Sequence, residues 1–245
     1  MRSSSAIAPL AFALPATAVA NDVWAFGNGF YSGPASGAHI TKATWSIVPP
    51  TVPQGVTVES TDDEVWVSLW IGLSATAGSD DDDLYQPLLN WSPDQESQGC
   101  SASSSEWCVA ASTYTPNGQN GQAYVTVPKN TQVDFDVTVE DNKVIQTVTI
   151  DGKVVSKESD DLVSDLLYLY SGDECYTGSG TCGTLEAYSY TNLTVHLNTA
   201  DENYGKTLNL YSGSNSNGLT TSDGGKTWHT DAIKISEDTF TNVDQ

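Results

Sequence analysis

The stretch QVDFDVTVEDNKVIQTVTIDGKVVSK, from Gln132 to Lys157, admits few folds. Val133, Phe135, Val137 and Val139 alternate with Asp134, Asp136, Thr138 and Glu140. In an extended chain that period of two puts the apolar set on one face and the polar set on the other, the pattern of a half-buried antiparallel strand. Asp151-Gly152 then supplies two residues that tolerate the positive φ of a tight hairpin turn. Runs of the same character recur as HITKATWSIV, EVWVSLWIGL, QAYVTV, LEAYSYTNLTVHL and TLNLY, separated by Pro, Asn-Gly and Ser-rich turns. The pattern predicts an all-β chain in which two antiparallel sheets pack as a jelly-roll sandwich. No internal repeat or linker interrupts it, so residues 21–245 read as a single domain.

Residues 1–20 read differently. Arg2 precedes an apolar run ending in Ala18-Val19-Ala20, the small-x-small pattern of a cleaved signal peptide. Pro9 and Pro15 break the run, which is also too short to span a bilayer. A secreted, extracellular protein is expected, and in such a compartment cysteines pair. Cys100, Cys108, Cys175 and Cys182 form two sequence-local couples, giving Cys100–Cys108 and Cys175–Cys182 as the expected bridges, although spacing leaves the other two connectivities open. His39, His196 and His229 lie far from these cysteines and show no ligand spacing, so no metal site is expected. Asn90-Trp91-Ser92 and Asn192-Leu193-Thr194 are sequons, making Asn90 and Asn192 candidate glycosylation sites.

The chain carries 31 acidic against 9 basic residues, a formal net charge of −22. Such a surface repels nucleic acid and anionic membranes, and neither is an expected partner. On composition alone the charge suits simple solubility of a secreted protein; because protonating carboxylates at acid pH relieves the self-repulsion, work in an acidic medium is the sharper alternative. Nucleophile elbows, phosphate loops and H-E-x-x-H are absent. The run Ser79 to Asp83 lacks the spaced ligands and central glycine of a calcium loop and reads as a solvated acidic loop. Thr221 to Trp228, TSDGGKTW, matches an Asp-box and predicts a hairpin in which Asp223 binds turn amides and Trp228 packs beneath. A glycosidase would need two carboxyl groups facing across a groove; Asp134 and Asp136 are the strand-borne pair available.

Gln86, in the apolar run DLYQPLLNW, calls for partners, because an unpaired buried amide costs about 1–3 kcal/mol. The residues around it resemble the glutamic peptidases (eqolisins), secreted acid proteases with a concanavalin A-like lectin/glucanase sandwich fold. GNGFYSG followed by TWSIVP, then Trp70-Ile71-Gly72-Leu73, then Leu84-Tyr85-Gln86, follow that family's order. The resemblance implies Gln86 as the catalytic glutamine. Counting back from TNLTVHL, it implies Glu174 as the catalytic glutamate, with Glu186 as the fallback. It also implies that Trp70 lines the cleft, and Trp91 and Trp107 are further candidates for substrate binding. In the implied mechanism ionised Glu174 activates a water held between it and Gln86, then protonates the leaving amine, while the Gln86 amide stabilises the oxyanion; no cofactor is needed. An unfolded or extended polypeptide is the implied substrate, and a monomer the expected state. The family aspartate after W-x-G-I is missing here, which keeps a non-catalytic relative in view. A glycan-binding or glycan-cleaving sandwich acting on a neutral glycan is the other alternative.

Overall fold

The computed structural model describes residues 23–58, 64–79, 81–178, 180–211, 213–240 and the backbone of 243–244. The expected signal peptide lies outside the described residues. The architecture is all-β: two antiparallel sheets packed face to face, the only regular helix among the described residues being a 3₁₀ turn, Tyr204–Thr207. The spine of the larger sheet runs Val125–Val127, Trp107–Ala110, Leu88–Trp91, Trp66–Ser74, Tyr168–Thr177, Val23–Phe26 and Val243–Asp244 in spatial order. The smaller runs Lys153–Asp161, Lys143–Ile150, Val133–Glu140, Ile40–Ile47, Tyr188–Leu197, Thr227–Ile235 and Ser214–Ser216.

The alternating strand behaves as its pattern requires. Val133, Phe135 and Val137 are buried between the sheets, while Asp134 and Asp136 lie on the outer face of the smaller sheet. There they accept hydrogen bonds from Ser46 and Lys42, so they form a surface polar ladder and not a facing catalytic pair. Both hairpins flanking Lys143–Ile150 turn on paired positive-φ residues, Asp141-Asn142 at 49° and 59° and Asp151-Gly152 at 50° and 72°. Positive φ at both central residues matches the right-handed twist of the strands they join.

Trp66–Ser74 has no alternation, and all nine of its residues are buried. Val67, Leu69, Ile71 and Leu73 enter the core between the sheets. Trp66 and Trp70 enter a second cluster on the opposite face, with Leu84, Leu88, Tyr114 and Tyr170. A strand buried on both faces reads as continuous apolar sequence, which is why WVSLWIGLS carries no period-2 signal.

The disulfides are Cys100–Cys108 and Cys175–Cys182, as expected. In the Asp-box hairpin Asp223 Oδ1 accepts from the Lys226 and Thr227 amides and the Thr221 hydroxyl, and Trp228 lies buried against Tyr204. These hydrogen bonds, the Thr227 amide first, hold the Asp223 carboxyl down at about 2. No helix among the described residues is long and apolar enough to cross a membrane.

Candidate functional site

The outer face of the larger sheet, turned away from the inter-sheet core, collects the polar groups that the core cannot use. Strand register lays its residues out in cross-strand rows. Trp24, Tyr176 and Trp66 form one row across three strands. The next holds Glu174, Ser68 and Asn90, followed by Gly172, Trp70 and Leu88. A further row contains Tyr170 and Gly72, with Gln86 alongside: a Cβ placed on Gly72 would lie 3.1 Å from that of Gln86.

Glu174 is 1% exposed. The Trp70 indole Nε1 donates to its Oε2 at 3.1 Å, and Oε1 has no partner. The indole reaches that far because residue 172 is glycine; a Cβ there would come within 2.4 Å of the Trp70 ring. Burial raises the Glu174 carboxyl to about 8, the Trp70 hydrogen bond only partly opposing it. The group is therefore a neutral acid at pH 7 and below. Burial thus works against the ionised base that the resemblance implies, with the Trp70 indole as the opposing partner.

Gln86 is 2% exposed. Its Nε2 makes a long contact, 3.5 Å, to Gln119 Oε1, and its own Oε1 has no partner. The question its sequence context raised has a partial answer: its backbone is paired with Ser112, but its amide is only half satisfied. Gln86 and Glu174 share the same face of the same sheet. They are offset by four residues along Trp66–Ser74, Gly72 against Ser68, roughly 13 Å at the rise of a strand. Trp70 stands between them, so a single water bridging the two is not what this geometry offers.

The other sequence candidates fall elsewhere. Trp91 and Trp107, expected beside the substrate, are instead in the core between the sheets, their indole N–H groups donating to Ser104 and Pro50 carbonyls. Odd-numbered residues of Leu88–Trp91 face inward, and Trp91 goes with them. Trp107 also borders a cavity of about 290 Å³ with Pro50, Glu106, Pro128 and Lys129, which shares no lining residue with the Glu174 face. Glu186 is exposed in the loop before Tyr188–Leu197, a strand of the smaller sheet. Of the two sequons, Asn192 is exposed, whereas Asn90 is 1% exposed and accepts a hydrogen bond from Ser68 Oγ at 2.7 Å. An amide held that way has no room for a glycan.

Two residues escaped the sequence reading. Ser68 gave no signal, being a small polar residue in an apolar strand, and Asn90 was read as a sequon when its strand parity places it in the same cross-strand row as the acid, one strand beyond Ser68. Among the described residues no cluster of three or more His, Cys, Asp or Glu is placed to hold a metal.

No protein-family model matches the chain, and no curated protein does. Among solved structures it is similar to CG-16, a homodimeric agglutinin from chicken liver, at 8% identity and a TM-score of 0.33, over 62% of this chain and 97% of that one. Caenorhabditis elegans galectin LEC-6 is similar at 10% identity and 0.33, over 64% and 95%. The kappa-carrageenase of Pseudoalteromonas carrageenovora, solved with an oligotetrasaccharide of kappa-carrageenan, gives 10% and 0.25, over 87% and 66%. Overlaps this small assign no residue a role, so the chemistry rests on the face itself.

Proposed function

We propose that this is a secreted hydrolase that cleaves peptide bonds at acid pH, with the outer face of the larger sheet as its site and Glu174 as the proton-transfer group. The observation that carries the reading is Glu174 itself: a carboxyl with a raised pKa and one oxygen unpaired, buried among aromatic rings on the face that also holds Gln86. As water adds to the substrate carbonyl carbon, neutral Glu174 gives its proton to the carbonyl oxygen and takes up the proton that water releases. The tetrahedral intermediate then carries two hydroxyls. Glu174 next protonates the amide nitrogen, the C–N bond breaks, and one hydroxyl proton returns to the carboxylate, leaving an acid and an amine. Gln86, four residues along the sheet, would hold the backbone of the extended substrate through its amide. The two disulfides and the −22 charge fit an extracellular, acidic setting.

A second reading is favoured by the depth of Glu174. A carboxyl 1% exposed in the row next to Trp24, Tyr176 and Trp66 also suits a binding face without turnover, on which the partly buried rings of Trp24 and Tyr176 stack on the units of a neutral glycan. The two readings separate in one pair of assays. The folded protein is expected to digest a reduced, unfolded protein between about pH 3 and 6 with pepstatin present, and to give no saturable signal on an array of neutral glycans. Glycan binding without peptide products reverses the choice.

A further inference from the structure

Resting on the hydrolase reading, we infer that the amide working beside Glu174 is Asn90, positioned by Ser68, and that Gln86 serves the substrate further along the face. Three strands carry the three residues in register, Glu174 opposite Ser68 and Ser68 opposite Asn90. Neighbouring strands lie about 4.8 Å apart, so the backbones of Glu174 and Asn90 stand roughly 10 Å apart across one small residue. Both side chains leave the same face of the sheet, with the short Ser68 side chain between them. Gln86 has no such relation to the acid, being offset by four residues with the Trp70 ring between.

Hydrogen-bond directions fix how the amide is turned. Ser68 Oγ donates to Asn90 Oδ1 at 2.7 Å. The carbonyl end of Asn90 is thereby engaged toward Ser68, so Nδ2 is the end that can donate to an oxygen that gains charge. Ser68, having spent its proton on Asn90, keeps its lone pairs as acceptors toward a water. On the far side of the row Trp70 fixes Glu174 Oε2 and leaves Oε1 unpaired. The row thus presents an acid oxygen and an amide donor on opposite sides of a hydroxyl, each held by a neighbour. Ser68, Asn90 and Glu174 are 0%, 1% and 1% exposed, so water cannot substitute for these contacts. That burial also separates this inference from the sequon reading of Asn90, because a glycan needs the Nδ2 that the site uses.

The test uses the whole secreted protein with Asn90→Ala, Asn90→Asp and Ser92→Ala. Ser92→Ala destroys the sequon without touching the row and should keep wild-type hydrolysis. Asn90→Ala should lower kcat by about 10²–10³ with KM changed only a few-fold. Asn90→Asp puts a second carboxyl across Ser68 from Glu174, so the alkaline limb of the pH profile should move upward, a shift that a purely structural role would not produce. Mass spectrometry of the peptide containing Asn90 should show no glycan. An unchanged kcat in Asn90→Ala, or a glycan on Asn90, overturns the inference. If the wild type proves inactive, the hydrolase reading fails by itself. The pairing of Asn90 with Glu174 is then read from the carboxyl ¹³C titration of Glu174: a higher midpoint in Asn90→Asp upholds it and an unmoved one ends it.

Discussion

Among the described residues burial raises the carboxyls of Asp173, Glu174 and Glu158, and at the residue scale these groups shape how the protein responds to pH. Asp173 faces the core, accepts the Tyr188 hydroxyl and leaves Oδ2 unpaired; burial first, then the nearby Asp238, raise it to about 8. Glu174, its sequence neighbour on the opposite face, reaches about 8, and Glu158 about 7 through burial and Asp160. In the unfolded chain each ionises near 4. A carboxyl with a raised folded-state pKa favours the folded state fully below its unfolded value, and that advantage drains away as pH rises toward the folded value. The melting temperature should therefore be higher at pH 4.5 than at pH 7.5, by at least about 5 °C. Asp173→Asn, which keeps an acceptor for Tyr188 and cannot ionise, should flatten that difference. A wild type that melts higher at pH 7.5 would mean that ionised, paired carboxylates dominate instead.

Between elements, the contact that organises the site is the crossing of Trp70 over Gly172 on the neighbouring strand. A methyl group at residue 172 would sit 2.4 Å from the ring and 2.6 Å from a second ring carbon, so the indole would have to leave Glu174. Gly172→Ala is expected to cost about 1–3 kcal/mol by overpacking and to abolish hydrolysis together with the Trp70–Glu174 hydrogen bond; a stable variant with wild-type activity would remove Trp70 from the mechanism. The same strand pair shows what the sequence could and could not convey. Alternation made the Val133–Glu140 and Lys143–Ile150 strands legible because one face is wet, and Asp151-Gly152 marked the hairpin that follows them. In Trp66–Ser74 both faces are buried, so nothing in WVSLWIGLS tells which residues look into the core, and the same holds for Leu88–Trp91. Trp91 was misplaced and Asn90 overlooked for that one reason. The order of motifs pointed to Gln86 and Glu174 as a pair, but their shared face and four-residue offset come only from strand register.

At the scale of the whole molecule, the excess negative charge and the buried neutral carboxyls act in the same direction. Acid relieves surface repulsion and keeps Asp173, Glu174 and Glu158 protonated, so the pH that suits the fold also keeps the proposed acid in its donating form. The sandwich separates the two faces: inter-sheet residues form the core, and the proposed chemistry is placed on the outer face of the larger sheet. That division makes one variant decisive. Hydrolysis of a denatured protein substrate at pH 4 should be measured for the wild type and for Glu174→Gln, with melting curves recorded on both. The account predicts a variant at least as stable as the wild type, because an amide replaces a carboxyl that is already neutral, and a rate lower by about 10²–10⁴. A stable Glu174→Gln protein that cleaves as fast as the wild type would contradict it.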